Sequence, residues 1–329
     1  MCTAVSFKSA DHYFGRNLDL DFHYDEAITV MPRKFHLSFR GGEITESHFA
    51  IIGTATVVDY YPLYYDAVNE FGLGMAGLNF PHFAEYYPRK EGVYNIAPFE
   101  LIPWVLAQCK TVADAKSLLE QTNIWNHSFN SQYPLTPLHW IIADSRECFV
   151  IEPRSDKMHI MDNPVGVLTN SPPLDYHLCN LVNYMNLSTE DGANRFADNL
   201  SLSPYSRGMG AIGLPGDLSS ASRFVRAAFV KCNSVCNDDE MSSVNQFFHI
   251  LGAVEQQNGC CRTKGGSEKT IYSNCYSTEK GICYYVTYEN RQICAVDMYR
   301  ENLESRQLMC YDMFHPQQVK WINKQKYCK

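Results

Sequence analysis

Short apolar runs separated by polar turns fill the first part of the chain. Cys2–Phe7 and His12–Asp19 flank the tripeptide Ser9-Ala10-Asp11, a pattern that predicts a hairpin. Ala27–Met31 and His48–Thr56 are predicted to be further strands, whereas the tyrosine-rich residues 57–66 are predicted to form a loop. The N-terminal part of the protein is therefore predicted to be mostly sheet.

A glycine-rich stretch follows these strands. Asn69–Gly72 suits a turn, and Gly74–Asn79 suits a buried strand with little side-chain bulk. Glycines within a strand mark either a tight bend of the sheet or a place where a ligand comes close to the backbone. The sequence leaves both interpretations open.

Helical spacing of apolar residues begins at residue 98. Pro98–Gln108 and Thr111–Gln121 each have one apolar face, and Thr111 is a predicted N-cap. The later elements are predicted strands at Leu138–Asp144, Cys148–Glu152, Lys157–Asp162 and three runs within 270–298, and predicted helices at Tyr176–Asn186, Ser219–Lys231 and Ser243–Val254. Residues 188–218 are predicted to be a long surface loop, and loops of that length are usually functional or mobile.

The order of these elements determines the predicted fold class. Strands, helices, strands, helices and strands follow one another, which fits an α+β protein with antiparallel sheets stacked between helical layers better than alternating βαβ units. The chain has 329 residues and shows no internal repeat, low-complexity segment or linker. We therefore expect one domain.

Charge and composition exclude several classes of partner. The chain carries 28 basic and 36 acidic residues, a net charge of −8, and no basic run that could follow a phosphate backbone. No apolar run approaches the roughly 18 residues that span a bilayer, and Asp11, Arg16 and Asp19 come too early for a secretory leader. We expect a cytoplasmic protein that binds no nucleic acid and does not insert into membranes.

Thirteen cysteines are scattered along the chain without a recognisable framework. Their odd number and the lack of a leader favour reduced thiols over disulfides. Neither Cys-x-x-Cys nor His-Glu-x-x-His occurs in the sequence, so no metal site is expected.

Cys2 has an unusual chemical option. Once Met1 is removed, a thiol and a free α-amine belong to the same residue. The amine titrates near ~7.7–8 and the thiol near ~8.5, so the amine can take the thiol proton without a partner histidine. This is the mechanism of N-terminal nucleophile hydrolases. A cysteine at position 2 is nevertheless a weak signal by itself.

Six short motifs occur in order along the chain. They are Met1-Cys2-Thr3, Phe14-Gly15-Arg16-Asn17-Leu18-Asp19, Asn69-Glu70-x-Gly72-Leu73, Gly77-Leu78-Asn79-Phe80-Pro81, Leu168-Thr169-Asn170-Ser171-Pro172, and Leu214-Pro215-Gly216-Asp217 followed by Ser222-Arg223-Phe224. Together they make the chain resemble the choloylglycine hydrolase family, the group that holds bile salt hydrolases and penicillin V acylases. The resemblance implies a four-layer αββα sandwich over residues 2–329, removal of Met1, no cofactor, and a homotetramer in a bacterial cytoplasm.

The resemblance also implies roles for individual residues. Cys2 is the nucleophile, and Asp19 binds and orients its α-amine. Arg16, three positions before Asp19 on the same predicted strand, favours the thiolate because a nearby cation stabilises only the charged form of a thiol. A surface ion pair is the alternative for Arg16 and Asp19.

Three further residues complete the implied catalytic set. Asn79 and Asn170 match the donors that bind the oxyanion of the tetrahedral intermediate, and one such donor is worth roughly 3–4 kcal/mol. Arg223 matches a second arginine that acts on either the thiolate or the acyl intermediate. An ordinary solvated helix arginine is the alternative for Arg223.

The substrate is predicted to be a conjugated bile acid. The resemblance associates Asn at position 79 with bile salt hydrolases and Tyr with penicillin V acylases, and a flat steroid needs a broad apolar pocket. The residues predicted to line that pocket are Phe22, Tyr64, Tyr65, Phe80 and Leu138, for which core packing is the alternative. The resemblance associates a Ser-Arg pair, here Ser206-Arg207, with a preference for glycine conjugates. A guanidinium can bind the planar carboxylate of glycine with two hydrogen bonds, so Arg207 is predicted to favour glycine over taurine conjugates. A solvated loop arginine is its alternative.

Two other functions fit the same scaffold. One is an acylase for penicillin V or for N-acyl amino acids. The other is a non-catalytic binding protein, against which the complete set of Cys2, Arg16, Asp19, Asn170 and Arg223 argues.

Overall fold

A computed structural model describes residues 1–323, and residues 324–329, which include Cys328 and the end of the predicted domain, lie outside the described residues. The strands are β1 Cys2–Lys8, β2 His12–Leu20, β3 Ala27–Met31, β4 Leu37–Ser38, β5 Ile44–Thr45, β6 Ile51–Val58, β7 Tyr61–Asn69, β8 Gly74–Asn79, β9 Tyr94–Ile96, β10 Thr122–Ile124, β11 Leu138–Ala143, β12 Cys148–Pro153, β13 Met158–Asp162, β14 Val167–Leu168, β15 Cys261–Arg262, β16 Ser267–Ser277, β17 Ile282–Thr287, β18 Cys294–Asp297 and β19 Met309–Asp312. The α-helices are α1 Leu101–Leu106, α2 Val112–Leu119, α3 Leu174–Asn180, α4 Ser220–Asn233 and α5 Glu240–Gly252.

Two antiparallel sheets form the centre of the protein. The first has the strand order β14-β1-β2-β16-β17-β18, with β15 paired to β16, and the second has the order β13-β12-β11-β8-β7-β6-β3-β19. Helices α4 and α5 cover the first sheet, and α1 and α2 cover the second. This arrangement confirms the predicted αββα sandwich, and it makes β1 an interior strand of the first sheet, between the short β14 and β2.

The helices are amphipathic in the way that their sequences predict. The Thr111 hydroxyl accepts a hydrogen bond from the Asp114 amide (3.2 Å), and the Asp114 carboxylate accepts one from the Thr111 amide (3.0 Å), which confirms Thr111 as the N-cap of α2. The helix predicted at Tyr176–Asn186 instead begins at Leu174, directly after Pro173, and continues as a 3₁₀ turn over Leu181–Tyr184.

The prediction of a loop over residues 57–66 was wrong. Tyr61 begins strand β7, which pairs with β6 through a tight turn at Asp59 and Tyr60. Both turn residues have positive φ, 50° and 63°. Such turns usually carry Asn-Gly or Asp-Gly, so Asp-Tyr gave no turn signal in the sequence. Strand β19, near the end of the described chain, was also missed.

One β-bulge interrupts each sheet near the start of β1. The extra residue is Tyr65 in β7 and Ile271 in β16. A bulge breaks the alternation of side chains, so residues on either side of it face opposite surfaces of the sheet. Thr270 accordingly faces the helical layer, whereas Tyr272 faces the second sheet. No helix within residues 1–323 is long and apolar enough to cross a membrane.

Candidate active site

Cys2 opens onto a cavity of about 310 Å³ that lies beside the first strand. The residue is only 3% exposed. The cavity wall is largely aromatic and includes Tyr24, Tyr65, Phe99, Phe129, Tyr133 and Trp140. Arg16 and Asn79 add polar groups to the same wall. A candidate nucleophile, a cation and an apolar binding surface therefore meet in one cavity.

A second cleft lies at the opposite end of β1. It measures about 390 Å³, and charged residues such as Lys8, Asp144 and Lys231 line it. Its cysteine, Cys148, is an unreactive thiol because burial raises the pKa of Cys148 to about 12. The cavity at Cys2 is thus the candidate active site, although it is the smaller of the two.

Strand pairing determines which residues share a face with Cys2. In the antiparallel pair of β1 and β2, Cys2 lies opposite Leu18, and Ala4 lies opposite Arg16. Directly opposed residues point to the same face, and side chains alternate along a strand. Cys2 and Arg16 therefore face the second sheet. Asp19, three positions after Arg16, faces the helical layer instead.

Arg16 is fully buried and held by backbone carbonyls. Its Nη1 donates to the carbonyl oxygens of Gly77 (2.6 Å) and Tyr65 (3.1 Å), while Nη2 has no hydrogen-bond partner among the described residues. Burial alone would lower the pKa of Arg16, but the facing Cys2, Tyr272 and Asp66 raise it above its ordinary value. Arg16 therefore stays charged, and its Nη2, although buried, has no partner among the described residues beside the cavity of Cys2.

Arg223 is fully buried as well, on the other face of the strand pair. From α4, its Nη1 donates to the Cys2 carbonyl (2.5 Å) and the Thr3 hydroxyl (2.6 Å), and its Nη2 donates to Asn170 Oδ1 (2.7 Å). Its Nε donates to the Leu218 carbonyl (3.0 Å). Arg223 therefore holds the backbone of the nucleophile and the side chain of Asn170 in place, and the alternative of a solvated helix arginine is wrong.

Asn170 follows β14 and connects three segments of the site. Its Oδ1 accepts from the backbone nitrogen of Cys2 (2.8 Å), and its Nδ2 donates to the carbonyl oxygen of Asn79 (2.7 Å). An amide nitrogen has two hydrogens, so one N–H of Asn170 has no partner among the described residues. The Asn79 side chain is exposed at the cavity. Oxyanion binding by these two residues stays a prediction.

Asp19 is buried beside the start of the chain. Its Oδ1 accepts from the Thr270 hydroxyl (2.6 Å), and its Oδ2 has no partner among the described residues. Burial raises the pKa of Asp19, and the charge of Arg223 opposes that rise. The amine of Met1 donates to the Asp19 carbonyl (2.7 Å) and to Glu268 Oε1 (2.8 Å). The predicted contact between the Asp19 carboxylate and the amine of Cys2 stays a prediction.

The five residues predicted to line the steroid pocket divide into two groups. Tyr64, Tyr65 and Leu138 line the cavity. Phe80 does not, because Asn79 faces the cavity and the next side chain along the chain turns away, where it stacks on His139 (4.3 Å between ring centroids).

Phe22 is the second correction to the predicted pocket. It is 58% exposed and packs on Tyr24 (4.7 Å between centroids), and Tyr24 is the residue that reaches the cavity. Phe22 follows the end of β2, so its side chain is placed by a turn and not by the alternation of the strand.

Arg207 lies away from the cavity. Its side chain is fully exposed, and its Nη1 is 3.8 Å from Asp191 Oδ2, a residue of the same surface segment. The structure thus favours the alternative of a solvated loop arginine. The sequence placed Arg207 by resemblance alone, with no element to orient it.

Sequence reasoning missed most of the cavity wall. Residues 127–136, between β10 and β11, supply Phe129, Tyr133 and several neighbours. Phe129 packs on Phe99 (5.2 Å between centroids) in an aromatic cluster that also contains Tyr61. The aromatic content of this segment was the available signal, but an irregular segment gives no period from which a facing direction can be read. Within residues 1–323, no group of three or more His, Cys, Asp or Glu side chains could hold a metal ion.

The αββα sandwich with a cysteine at the start of an interior strand defines the class of N-terminal nucleophile hydrolases. A family model described as linear amide C–N hydrolases, choloylglycine hydrolase family, matches residues 2–311. This chain belongs to the choloylglycine hydrolase family.

Characterised relatives resemble the chain over nearly its whole length. A bile salt hydrolase/transferase from Lactiplantibacillus plantarum is 50% identical over 98% of this chain and 100% of the relative. A bile salt hydrolase/transferase from Clostridium perfringens is 39% identical over 94% of this chain and 96% of the relative. A crystal structure of a conjugated bile acid hydrolase variant from Clostridium perfringens is similar at a TM-score of 0.90 and 36% identity, and the match covers 98% of this chain and 100% of that one.

Proposed function

We propose that this chain hydrolyses the amide bond of glycine- and taurine-conjugated bile acids. The observation that carries the proposal is the buried Cys2, which shares a largely aromatic cavity of about 310 Å³ with the buried cation of Arg16. Ligand pockets of about 300–1,000 Å³ with apolar walls and a few polar groups suit a steroid with a polar tail. The bile salt hydrolases among the relatives support this substrate class.

The first half of the reaction acylates Cys2. After removal of Met1, the α-amine takes the thiol proton, and the thiolate attacks the amide carbonyl carbon. The oxyanion accepts hydrogen bonds from the free N–H of Asn170 and from the side-chain amide of Asn79. The α-ammonium then protonates the leaving amine, the C–N bond breaks, and a thioester remains on Cys2. Asn170 Oδ1 already accepts from the Cys2 nitrogen (2.8 Å), and we propose that Asp19 Oδ2, which has no partner among the described residues, is a second acceptor that orients the α-ammonium.

The second half releases the bile acid. Water attacks the thioester carbonyl while the α-amine takes a proton from that water. The C–S bond breaks, and the thiolate recovers a proton from the ammonium. Arg16 stabilises the thiolate at both ends of the cycle, because it is a permanent cation in the same cavity.

The experiment compares three substrates side by side. Protein whose mass shows the loss of Met1 is incubated with glycocholate, taurocholate and penicillin V, and the released glycine, taurine and 6-aminopenicillanic acid are measured. We expect both bile salts to be cut with a kcat/KM at least about tenfold above that for penicillin V. Cys2→Ser is the matched control. Faster cleavage of penicillin V would make the chain an acylase, and cleavage of none of the three would support a binding protein.

A transfer reaction is a second candidate function, because both relatives carry transferase in their names. An amine can attack the Cys2 thioester in place of water, which forms a new amide and returns the thiol. Incubation of glycocholate with a second amino acid tests this reaction. The new conjugate should form with wild type and not with Cys2→Ser.

We also propose that residues 2–329 form one domain, that the protein is a homotetramer, and that it works in a bacterial cytoplasm. Exposed apolar side chains around the 188–218 segment support assembly; they include Met185, Phe196, Leu202, Tyr205 and Ile212. The twelve cysteines of residues 1–323 are free thiols, which fits a reducing compartment. Light scattering of the purified protein tests the oligomer, and a monomer would contradict it.

A further inference from the structure

Asp66 is a fully buried carboxylate between the two sheets. It lies on β7, directly after the bulge at Tyr65, and it accepts three hydrogen bonds from β16 of the facing sheet. Its Oδ2 accepts from the Tyr272 hydroxyl (2.5 Å), and its Oδ1 accepts from Asn274 Nδ2 and from the Tyr276 hydroxyl (both 2.5 Å). Burial and the Asp66 charge raise the pKa of Tyr272 well above its ordinary value, so that hydroxyl is a permanent donor.

The same residues hold Arg16. Asp66 Oδ2 lies 4.0 Å from the Arg16 Nε, which makes the two residues a buried ion pair. Asn274 Oδ1 accepts from the backbone amide of Arg16 (2.9 Å), so Asn274 links Asp66 to the strand that carries Arg16. The bulge leaves the Tyr65 carbonyl outside the β7 ladder, and this carbonyl accepts from Arg16 Nη1.

The charge of this pair matters because it faces the nucleophile. A buried cation is tolerated only when an anion or several hydrogen bonds compensate for its lost hydration. The positive charge of Arg16 stabilises the thiolate of Cys2, whereas the negative charge of the Asp66 carboxylate next to Arg16 destabilises it. The α-amine of Cys2 also bears on the thiol, but it is common to wild type and to every variant. The other charged groups near Cys2 are Asp19, Arg223 and Glu268, and they belong to the opposite face of the β1–β2 pair or to its end. Glu26 is the remaining buried carboxyl near Tyr272.

We propose that Asp66 is a positioning residue that acts through Arg16: its carboxylate fixes the guanidinium and balances its charge, so that Cys2 experiences the field of the pair and not that of a lone arginine. This inference rests on the proposed role of Cys2 as nucleophile. It does not depend on which amide the enzyme cuts.

The test measures the thiol itself. Wild type and Asp66→Asn are alkylated with iodoacetamide over a range of pH, and the label on the peptide that contains Cys2 is quantified by mass spectrometry. Loss of the carboxylate leaves Arg16 unbalanced, so the midpoint of alkylation should move about one unit to lower pH. At pH values above the midpoint, the rate of Cys2 alkylation should fall about threefold, because a less basic thiolate is a weaker nucleophile.

Two further variants separate charge from structure. Arg16→Gln should move the midpoint to higher pH, and the double variant Arg16→Gln/Asp66→Asn should lie between the two single variants. Tyr276→Phe removes one hydrogen bond from Asp66 but no charge, so its midpoint should equal that of wild type. A folded Asp66→Asn protein with an unchanged or higher midpoint would overturn the proposal and leave Asp66 a structural residue.

Thermal stability provides the test if Asp66→Asn alone does not fold. The single variant leaves a buried cation without its anion, whereas the double variant removes both charges. The double variant should then fold and melt at a higher temperature than the single one. A double variant that is as unstable as Asp66→Asn would contradict the pairing of Asp66 with Arg16. Neither alkylation nor thermal unfolding needs a substrate. Failure of the proposed bile salt hydrolysis would therefore not change how the results of these two measurements are interpreted.

Discussion

The two faces of the β1–β2 strand pair each bury one arginine and one aspartate, yet the two pairs differ in what they leave free. On the face toward the second sheet, Arg16 has one nitrogen without a partner among residues 1–323, and Asp66 has both oxygens occupied. On the face toward the helices, all three nitrogens of Arg223 donate, and Asp19 keeps one oxygen without a partner in the described part of the chain.

This difference separates the roles of the two faces. A fully engaged guanidinium holds its partners in place, and a guanidinium with a free nitrogen can act on a charge that develops beside it. We therefore propose that Arg16 acts on the thiolate, whereas Arg223 holds the backbone of Cys2 through its hydrogen bond to the Cys2 carbonyl. The opposite holds for the acids: Asp66 supports a neighbouring residue, and Asp19 offers an oxygen to a cation. Identical residue types and equal burial do not imply equal function.

The largest expected effect comes from removing the group on which both faces act. Cys2→Ser should lower kcat for glycocholate on the order of 10³-fold or more, because the hydroxyl is far less acidic than a thiol and the α-amine cannot ionise it. The free energy of unfolding should change little, since the two side chains differ by one atom. Turnover close to that of wild type would remove Cys2 from the mechanism.

The second prediction compares the two arginines directly. Arg223→Gln should lower the free energy of unfolding by about 3–5 kcal/mol, because Asp19 loses its cation and Cys2 and Thr3 lose their donors. Arg16→Gln should cost about 1–3 kcal/mol, because Asp66 keeps three donors. Urea denaturation of the two variants measures both losses.

Arg226→Gln is the matched control for Arg223→Gln. Arg226 lies on the same helix and donates to the carbonyl oxygens of Ala253 and Pro215, but it is only half-buried and touches no residue of the site. The free energy of unfolding should therefore decrease less for Arg226→Gln than for Arg223→Gln. Equal losses for the variants of Arg16 and Arg223 would contradict the division of roles between the two faces.

Much of the site could be predicted because it follows from strand geometry. A hairpin that starts at Cys2 brings Arg16 to the same face by simple alternation. An extended segment that ends at Asn170, two residues after β14, brings that side chain to the edge of the sheet. The burial of Arg223 could not be predicted in this way. Helical periodicity reports apolar faces, and Arg223 is buried by polar partners from β1 and from the segment after β14.

The two β-bulges could not be predicted from the sequence either. Tyr65 and Ile271 look like ordinary strand residues, yet each shifts the alternation by one and so decides which neighbours face the site. Without the bulge in β7, Tyr64 and Asp66 would share a face. With it, Asp66 reaches the facing sheet, whereas the Tyr64 hydroxyl donates to the Thr29 carbonyl within its own sheet.

The third prediction uses the other end of the strand pair, where His12 is buried with hydroxyl partners in place of a carboxylate. Its nitrogens lie 2.9 Å from the Ser6 hydroxyl and 3.0 Å from the Thr278 hydroxyl, and burial lowers the pKa of His12 to about 4. The folded state thus binds fewer protons than the unfolded state, whose histidine titrates near 6.5. The stability that this group contributes is complete above pH ~6.5 and is lost as the pH falls toward about 4.

Between pH 7 and pH 5 that loss should amount to about 2 kcal/mol. His12→Gln keeps hydrogen-bonding groups but does not titrate, so its free energy of unfolding should fall less over the same range. Urea denaturation of both proteins at the two pH values measures the difference. Parallel pH dependences would mean that His12 titrates alike in the folded and unfolded protein, and the contrast with the buried arginines would then fail.

The smallest expected effect belongs to a third arginine, which is not buried at all. Arg207 is fully exposed and faces Asp191 across 3.8 Å, and an exposed pair of this kind exerts little force because solvent screens it. The resemblance to the family implies that Arg207 binds the carboxylate of glycine. The structure leads us to expect that Arg207→Ala changes the ratio of glycocholate to taurocholate hydrolysis by less than about twofold. Arg195→Ala, an exposed arginine of the same segment, is the matched control. If the ratio of glycocholate to taurocholate hydrolysis falls with Arg207→Ala and not with Arg195→Ala, Arg207 binds the leaving-group end of the substrate. An exposed arginine would then act on the substrate through its donor nitrogens, as we propose for the buried Arg16.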